Sequence, residues 1–188
     1  DANGTNITAT DITQIEGDTS GTITVSNNIN LQGTAAEVAA AVGDVNTFSG
    51  AATAELSNNH TTAQLKTIND AISGAITLNS YAVALSGTSA VVTAALDGSF
   101  AAGYTGAVSL SDNHNLAQLK AINNATSGQL TLNSYAVALS GSTADVKAAV
   151  DGTFAAAFTA NLTLNDANGT NITATDITQI EGDTTGTI

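Results

Sequence analysis

Apolar residues along this chain recur at two spacings, and the two alternate. In residues 116–125, Leu116, Leu119 and Ile122 fall every third residue, which puts them on one face of a helix. Asn115 stands where an N-cap belongs. Ser127-Gly128 stops the helix, with Gly128 free to turn left-handed. Residues 130–132 (LTL) and 135–140 (YAVALS) are alternating or β-branched and predict strands. Ser142 or Thr143 then caps a second helix with Val146, Ala149 and Val150 inward, ended by Asp151-Gly152, and residues 160–164 predict the next strand.

The pattern repeats. Leu65 and Ile68 match the first helix; Val92, Ala95 and Leu96 match the second, ended by Asp97-Gly98. Thr34-Ala35-Ala36-Glu37 is a capping box, followed inward by Val38, Ala41 and Val42. Ile12 and Ile15, with Gly17 after them, mark the weakest helix. Residues 56–109 and 110–163 are copies at an offset of 54, identical at 34 positions. Residues 1–55 form a divergent third repeat, and 164–188 begin the next one. Residues 166–188 restate residues 1–23 with one change, Ser20 against Thr185, at an offset of 165. The chain therefore reads as one full period of a tandem array plus the start of another.

Helices of two or three turns do not persist alone in water. Strand and short helix alternating at about 27 residues per step predict an α/β solenoid, with parallel strands and the helices on the other side. The alternative is an all-β solenoid in which the Ala-rich segments are turns. With six coils per period and strands about 4.8 Å apart, the two copies of DANGTNIT should lie on the order of 29 Å apart along the axis.

Composition narrows the function. Sixteen acidic residues face three lysines, Lys66, Lys120 and Lys147, with no Arg, for a net charge of −13. That balance argues against nucleic acid and anionic membrane as partners. No Cys is present, so there are no disulfides, thiol nucleophiles or thiolate metal sites. No run of 18 apolar residues occurs, so membrane insertion is not expected.

The words LAQLKAINNATSGQLTLNS and YAVALSGSTADVKAAVDG resemble the repeats of giant bacterial cell-surface proteins of the cyanobacterial type, including those associated with swimming without flagella. The resemblance spans essentially the whole chain. It departs in residues 1–21, where DITQIEGD replaces AQLKAIN. It implies secretion, a cell-surface location and a long fibrous or layered assembly, and it names no active site.

Candidate chemistry is sparse. DANGTN, at residues 1–6 and 166–171, offers hard oxygens from Asp1, Asn3, Asn6, Asp166, Asn168 and Asn171, a candidate set for Ca2+. The same residues build Asx turns, and neither the Gly position nor a terminal Glu fits a helix-flanked calcium loop. His60 and His114 are equivalent and read as loop residues assisting a helix start. Tyr81 with Tyr135, Tyr104 with Phe158, and Phe100 with Phe154 read as a core ladder. No GxSxG elbow with partner His and acid occurs, and GDTSG and GDTTG lack the GK of a phosphate loop. The expectation is a non-enzymatic, extracellular structural segment of a fibre, sheath or surface array, whose partners are further copies of itself. The alternative is an adhesin-like array meeting a glycan, surface or ice through Thr rows such as Thr5, Thr8, Thr10 and Thr13.

Overall fold

A computed structural model describes residues 2–188. In chain order the elements are β1 (Thr5–Thr8), α1 (Ala9–Asp18), β2 (Thr24–Val25), β3 (Ile29–Gly33), α2 (Ala35–Asp44), β4 (Thr47–Phe48), β5 (Thr53–Leu56), α3 (Thr62–Ala71) and β6 (Ile76–Thr77). They continue with β7 (Leu85–Gly87), α4 (Ser89–Leu96), β8 (Val108–Leu110), α5 (Leu116–Ala125), β9 (Leu130–Thr131), β10 (Leu139–Gly141), α6 (Thr143–Val150), β11 (Leu162–Leu164) and α7 (Ala174–Asp183). The chain is mixed α/β, with seven helices and small parallel sheets among the described residues. The Ala-rich segments are helices, which removes the all-β alternative. Helix starts fall 26 or 27 residues apart from Ala9 to Thr143, and Ala174 follows after 31.

Two compact units divide the chain. The first comprises Asp1–Val83 with Ala94–Gly103, the second Ala84–Thr93 with Tyr104–Ile188. In the first, β1, β3, β5 and β6 form a parallel sheet in that order, and β2 pairs with β4. Thr5 stands opposite Ile29, Leu31 opposite Ala54, and Ala54 opposite Ile76, so partners lie 22–24 residues apart. Helices α1, α2 and α3 pack in succession. Their inward positions make the core: Ala9, Ile12, Val38, Ala41, Val42, Leu65 and Ile68 are buried, with Leu31, Ala54 and Ile76 from the sheet. Ala is frequent because each helix must approach the next closely.

The second unit repeats this plan. β7, β8 and β9 form one parallel sheet and β10 with β11 another, with partners 22 or 23 residues apart. Helices α5, α6 and α7 pack in succession over Leu119, Ile122, Val146, Ala149, Val150 and Ile180, all buried. Sequence and structure agree on α5 to the residue, and of the two caps expected for α6 it is Ser142 that serves, with the helix ending before Asp151. Asn115 caps α5 in a full capping box with Gln118, and Ser142 caps α6. The box expected at Thr34 and Glu37 forms at α2.

Several expectations fail, each for a local reason. Residues 135–138 are not strand. The Leu132 N–H donates to the Tyr135 hydroxyl at 3.2 Å and the Ala136 N–H to Ser134 Oγ at 3.3 Å, so a side-chain turn interrupts the strand, while the Tyr135 carbonyl still accepts from the Thr159 N–H at 2.8 Å. Gly128 is not left-handed; α5 ends on Thr126 in extended conformation, and the glycine serves a close contact instead. Leu116 is only half-buried. In α1, a complete ten-residue helix capped by Thr8, Ile12 is buried but Ile15 is 51% exposed.

Candidate functional site

Contacts between successive strand–helix steps recur at fixed places in the repeat, and they hold most of the polar chemistry. The first pairs a glycine with a carbonyl. Gly74 donates its N–H to the Ala52 oxygen at 2.9 Å, and a Cβ on Gly74 would collide with that oxygen. Gly128 faces the Gly106 carbonyl and Gly186 the Ala160 carbonyl in the same way. Thr126 and Thr184 reinforce the contact: their hydroxyls donate to Gly106 and Ala160 oxygens at 2.8 and 3.0 Å and accept from Gly128 and Gly186 N–H. Only a residue without Cβ lets the backbones come this close.

The second contact caps a helix from the following step. The Ala35 N–H, first in α2, donates to Asn58 Oδ1 at 2.8 Å. The Ser89 N–H, first in α4, donates to Asp112 Oδ1 at 2.6 Å. The Thr143 N–H, first in α6, donates to Asp166 Oδ2 at 3.0 Å, and the Thr143 hydroxyl donates to the same oxygen at 2.5 Å. Asn58, Asp112 and Asp166 are spaced by 54. Each satisfies an amide that its own helix cannot, and the two carboxylates also meet the positive end of the helix. The third contact works at the other end: Asn69 donates to the Ala95 oxygen, and Asn123 to the Ala148 oxygen at 2.9 Å.

The lysines join the same scheme. Lys66 pairs with Asp70 one turn along α3. Lys120 on α5 reaches Asp145 on α6 at 2.5 Å, and Lys147 on α6 reaches Asp176 on α7 at 2.9 Å. The Lys120 hydrogen bond, then that of Ser142, holds the Asp145 carboxyl below its ordinary range. The Thr173 hydroxyl, then Lys147, brings Asp176 down to about 2. Such partly exposed pairs orient more than they stabilise.

Of the calcium candidates, Asn3, Asn6 and Asp166 take part in hydrogen bonds of this kind. Asp1 lies outside the described residues. Asn3 Oδ1 accepts from the Asn28 N–H at 3.1 Å, and Asn6 Oδ1 accepts from Asn30 Nδ2 at 3.2 Å. Asp166 is the α6 cap. Asn168 and Asn171 are exposed. Both DANG segments form tight turns: Thr5 N–H to Ala2 O at 3.2 Å and Thr170 N–H to Ala167 O at 3.0 Å, with Gly4 and Gly169 at φ 79° and 88°. Asp166 and Asn171 share an open groove of about 700 Å³ with Lys147, Asp151 and Asp176. Among the described residues, no three His, Asp or Glu side chains converge as an ion-holding group.

The histidines correct the sequence reading. His60 and His114 are 4% and 3% exposed, and the helix caps are their neighbours Thr61 and Asn115. Burial lowers both imidazole pKa values, opposed at His114 by Asp112. The His114 ring lies 6.3 Å from that of Phe158, which is 5.8 Å from Phe154. Tyr104 and Phe158 are buried, whereas Phe100 and Phe154 are half-buried; burial pushes the Tyr104 phenol up to about 12. Tyr81 and Tyr135 are half-buried, and their hydroxyls accept backbone N–H bonds from Leu78 and Leu132.

The four threonines proposed as a row do not share one file. Thr5 and Thr8 lie on β1, Thr8 as a helix cap, and Thr10 and Thr13 lie on α1. The exposed file across the first sheet is mixed: Asn6, Asn30 and Thr53, joined by side-chain hydrogen bonds, beside Gln32 and Glu55. Compared with protein-family models, with curated proteins and with solved structures, the chain shows no match to any.

Sequence reasoning missed the inter-step caps and the glycine contacts. Their signal was present: Asn58, Asp112 and Asp166 each place an amide or carboxylate oxygen at a 54-residue offset, and Gly74 recurs as Gly128 at the same offset.

Proposed function

We propose that this chain is a segment of a non-enzymatic structural repeat protein, in which successive coils stack as an α/β solenoid to build an extracellular fibre, sheath or surface array. One observation supports it most: the caps and glycine contacts join each step to the next, and recur with the repeat rather than converging on one place. Contacts of that kind add stability with every coil. The resemblance to giant cell-surface repeat proteins gives the location, and the surplus of acid keeps such a surface soluble. Further copies of the same repeats are the partners.

The test is to lengthen the array. A chain of two 165-residue periods should need markedly more denaturant to unfold than a single period does, in one cooperative transition. Independent melting of each 54-residue repeat would refute stacking.

A second reading, an adhesin-like array, draws on the exposed hydroxyl files of the second unit, Ser86–Ser109–Thr131 and Ser140–Thr163. Thermal hysteresis or glycan-array binding that vanishes on replacing Ser109 and Thr131 by Lys would favour it. Calcium stabilisation is tested by melting with and without chelator: if DANGTN holds the ion, chelator lowers the melting temperature.

A further inference from the structure

Residues 1–23 and 166–188 are nearly the same sequence in two surroundings, so each copy reports what the other lacks. In α1, Ala9 and Ile12 are buried, while Ile15 is 51% exposed. In α7 the pattern reverses: Ala174 is exposed, Ile177 is half-buried, and Ile180, the counterpart of Ile15, is fully buried. The first copy is covered by the step that follows it, β3 and α2; the second by the step that precedes it, α6 and β11.

The polar groups reverse in the same way. Thr184 donates to the Phe158 and Ala160 oxygens, Thr185 N–H donates to Phe158 O at 2.9 Å, and Leu162 N–H donates to Thr187 O at 2.8 Å. Their counterparts Thr19, Ser20 and Thr22 are exposed, and the Thr19 hydroxyl only accepts from Gly21 N–H. Gly186 lies against the Ala160 carbonyl, as Gly74 and Gly128 lie against theirs. Gly21, the fourth member of that set, has only the Thr19 hydroxyl within reach. Lys147 pairs with Asp176, whereas Asp11, its counterpart, is exposed in the first turn of α1. Beside these groups, Ile7, Ile12, Ile15, Ile23, Val25 and Ile29 line an open groove of about 610 Å³.

We propose that this face of α1 is the seat of a second copy of residues 143–164, placed as those residues are placed against α7. The seat would take Lys147 of that copy onto Asp11, its Ala160 carbonyl onto Gly21 and Thr19, and its α6 onto Ile15. The proposal rests on the stacked-coil reading and deepens it by naming both sides of the joint between periods.

The test extends the chain at its front with residues 110–165, so that Asn165 precedes Asp1 as it precedes Asp166. Hydrogen exchange is then followed in residues 13–22 and 178–187. Extension should slow exchange in 13–22 by about tenfold or more, to the level of 178–187. Ile15→Asp should remove that protection in the extended chain and change the original chain less than about twofold, with Ile15→Ser giving an intermediate loss. Four results would overturn the assignment: no added protection, equal protection from a scrambled extension of the same composition, indifference of the extended chain to Ile15→Asp, or equal protection of the original chain on raising its own concentration. An extension that melts together with the rest yet leaves residues 13–22 unprotected defeats this seat alone; one that melts separately defeats the stacking reading.

Discussion

His114 shows how much a single residue can conceal from sequence inspection. It stands in a polar DNH tripeptide ahead of a helix, which reads as loop. In the structure it is buried against Phe158, and neither ring nitrogen has a hydrogen-bond partner among the described residues. His60 is buried at the equivalent place. Because both pKa values are lowered in the folded chain, the unfolded chain binds these protons first as pH falls. Stability is therefore complete above the ordinary histidine range and declines as pH drops below about 6.5. Urea titrations at pH 7.5 and 5.5 should show lower stability at pH 5.5, with the difference shrinking in a His60→Gln, His114→Gln chain. At the alkaline end the raised Tyr104 acts the other way, its contribution fading as pH climbs past about 10, where the unfolded phenol ionises first. Gly128 conceals as much: it reads as a helix stop but fits under the Gly106 carbonyl, so Gly128→Ala should cost about 1–3 kcal/mol of overpacking. Gly43→Ala, with nothing near the added carbon, should be neutral or mildly stabilising. Chemical denaturation of the two variants separates the roles.

At the scale of elements the helices were the legible part. Leu119 and Ile122, the Asn115 cap and the Thr34–Glu37 box are local signals, and the helices they specify form at the expected residues. Asn115→Ala should cost roughly 1 kcal/mol, and Leu119→Ala roughly 2–5 kcal/mol, since one removes a cap and the other opens a cavity in a sealed core. Strands were legible in kind but not in length. Their register follows neighbours 22–24 residues away, and local side-chain bonds such as that to the Tyr135 hydroxyl cut the strands short. β1 makes the same point: Thr5–Thr8 is a strand beside β3, whereas the identical residues 170–173 are not strand. One sequence takes two local structures because the partner strand, not intrinsic preference, decides. The inter-step caps were illegible for a related reason. Nothing local to Asp166 in the sequence shows that the Thr143 amide, 23 residues earlier, donates to its carboxylate.

For the molecule as a whole, repetition turns small terms into a large one. Short helices, two- to five-residue strands and exposed ion pairs would each be marginal alone. In the proposed stack, recurring caps, glycine contacts and Leu, Ile, Val and Ala layers would add from coil to coil, which is the property a fibre or surface array needs. Electron cryo-microscopy of a chain carrying several 165-residue periods measures this directly, through the axial advance from one period to the next. Six coils per period paired in one ladder give an advance of about 29 Å with nearly unchanged orientation, and fewer paired strands per period would change that distance but not its constancy. A longer and variable advance, or periods folded back beside one another, would contradict the stack.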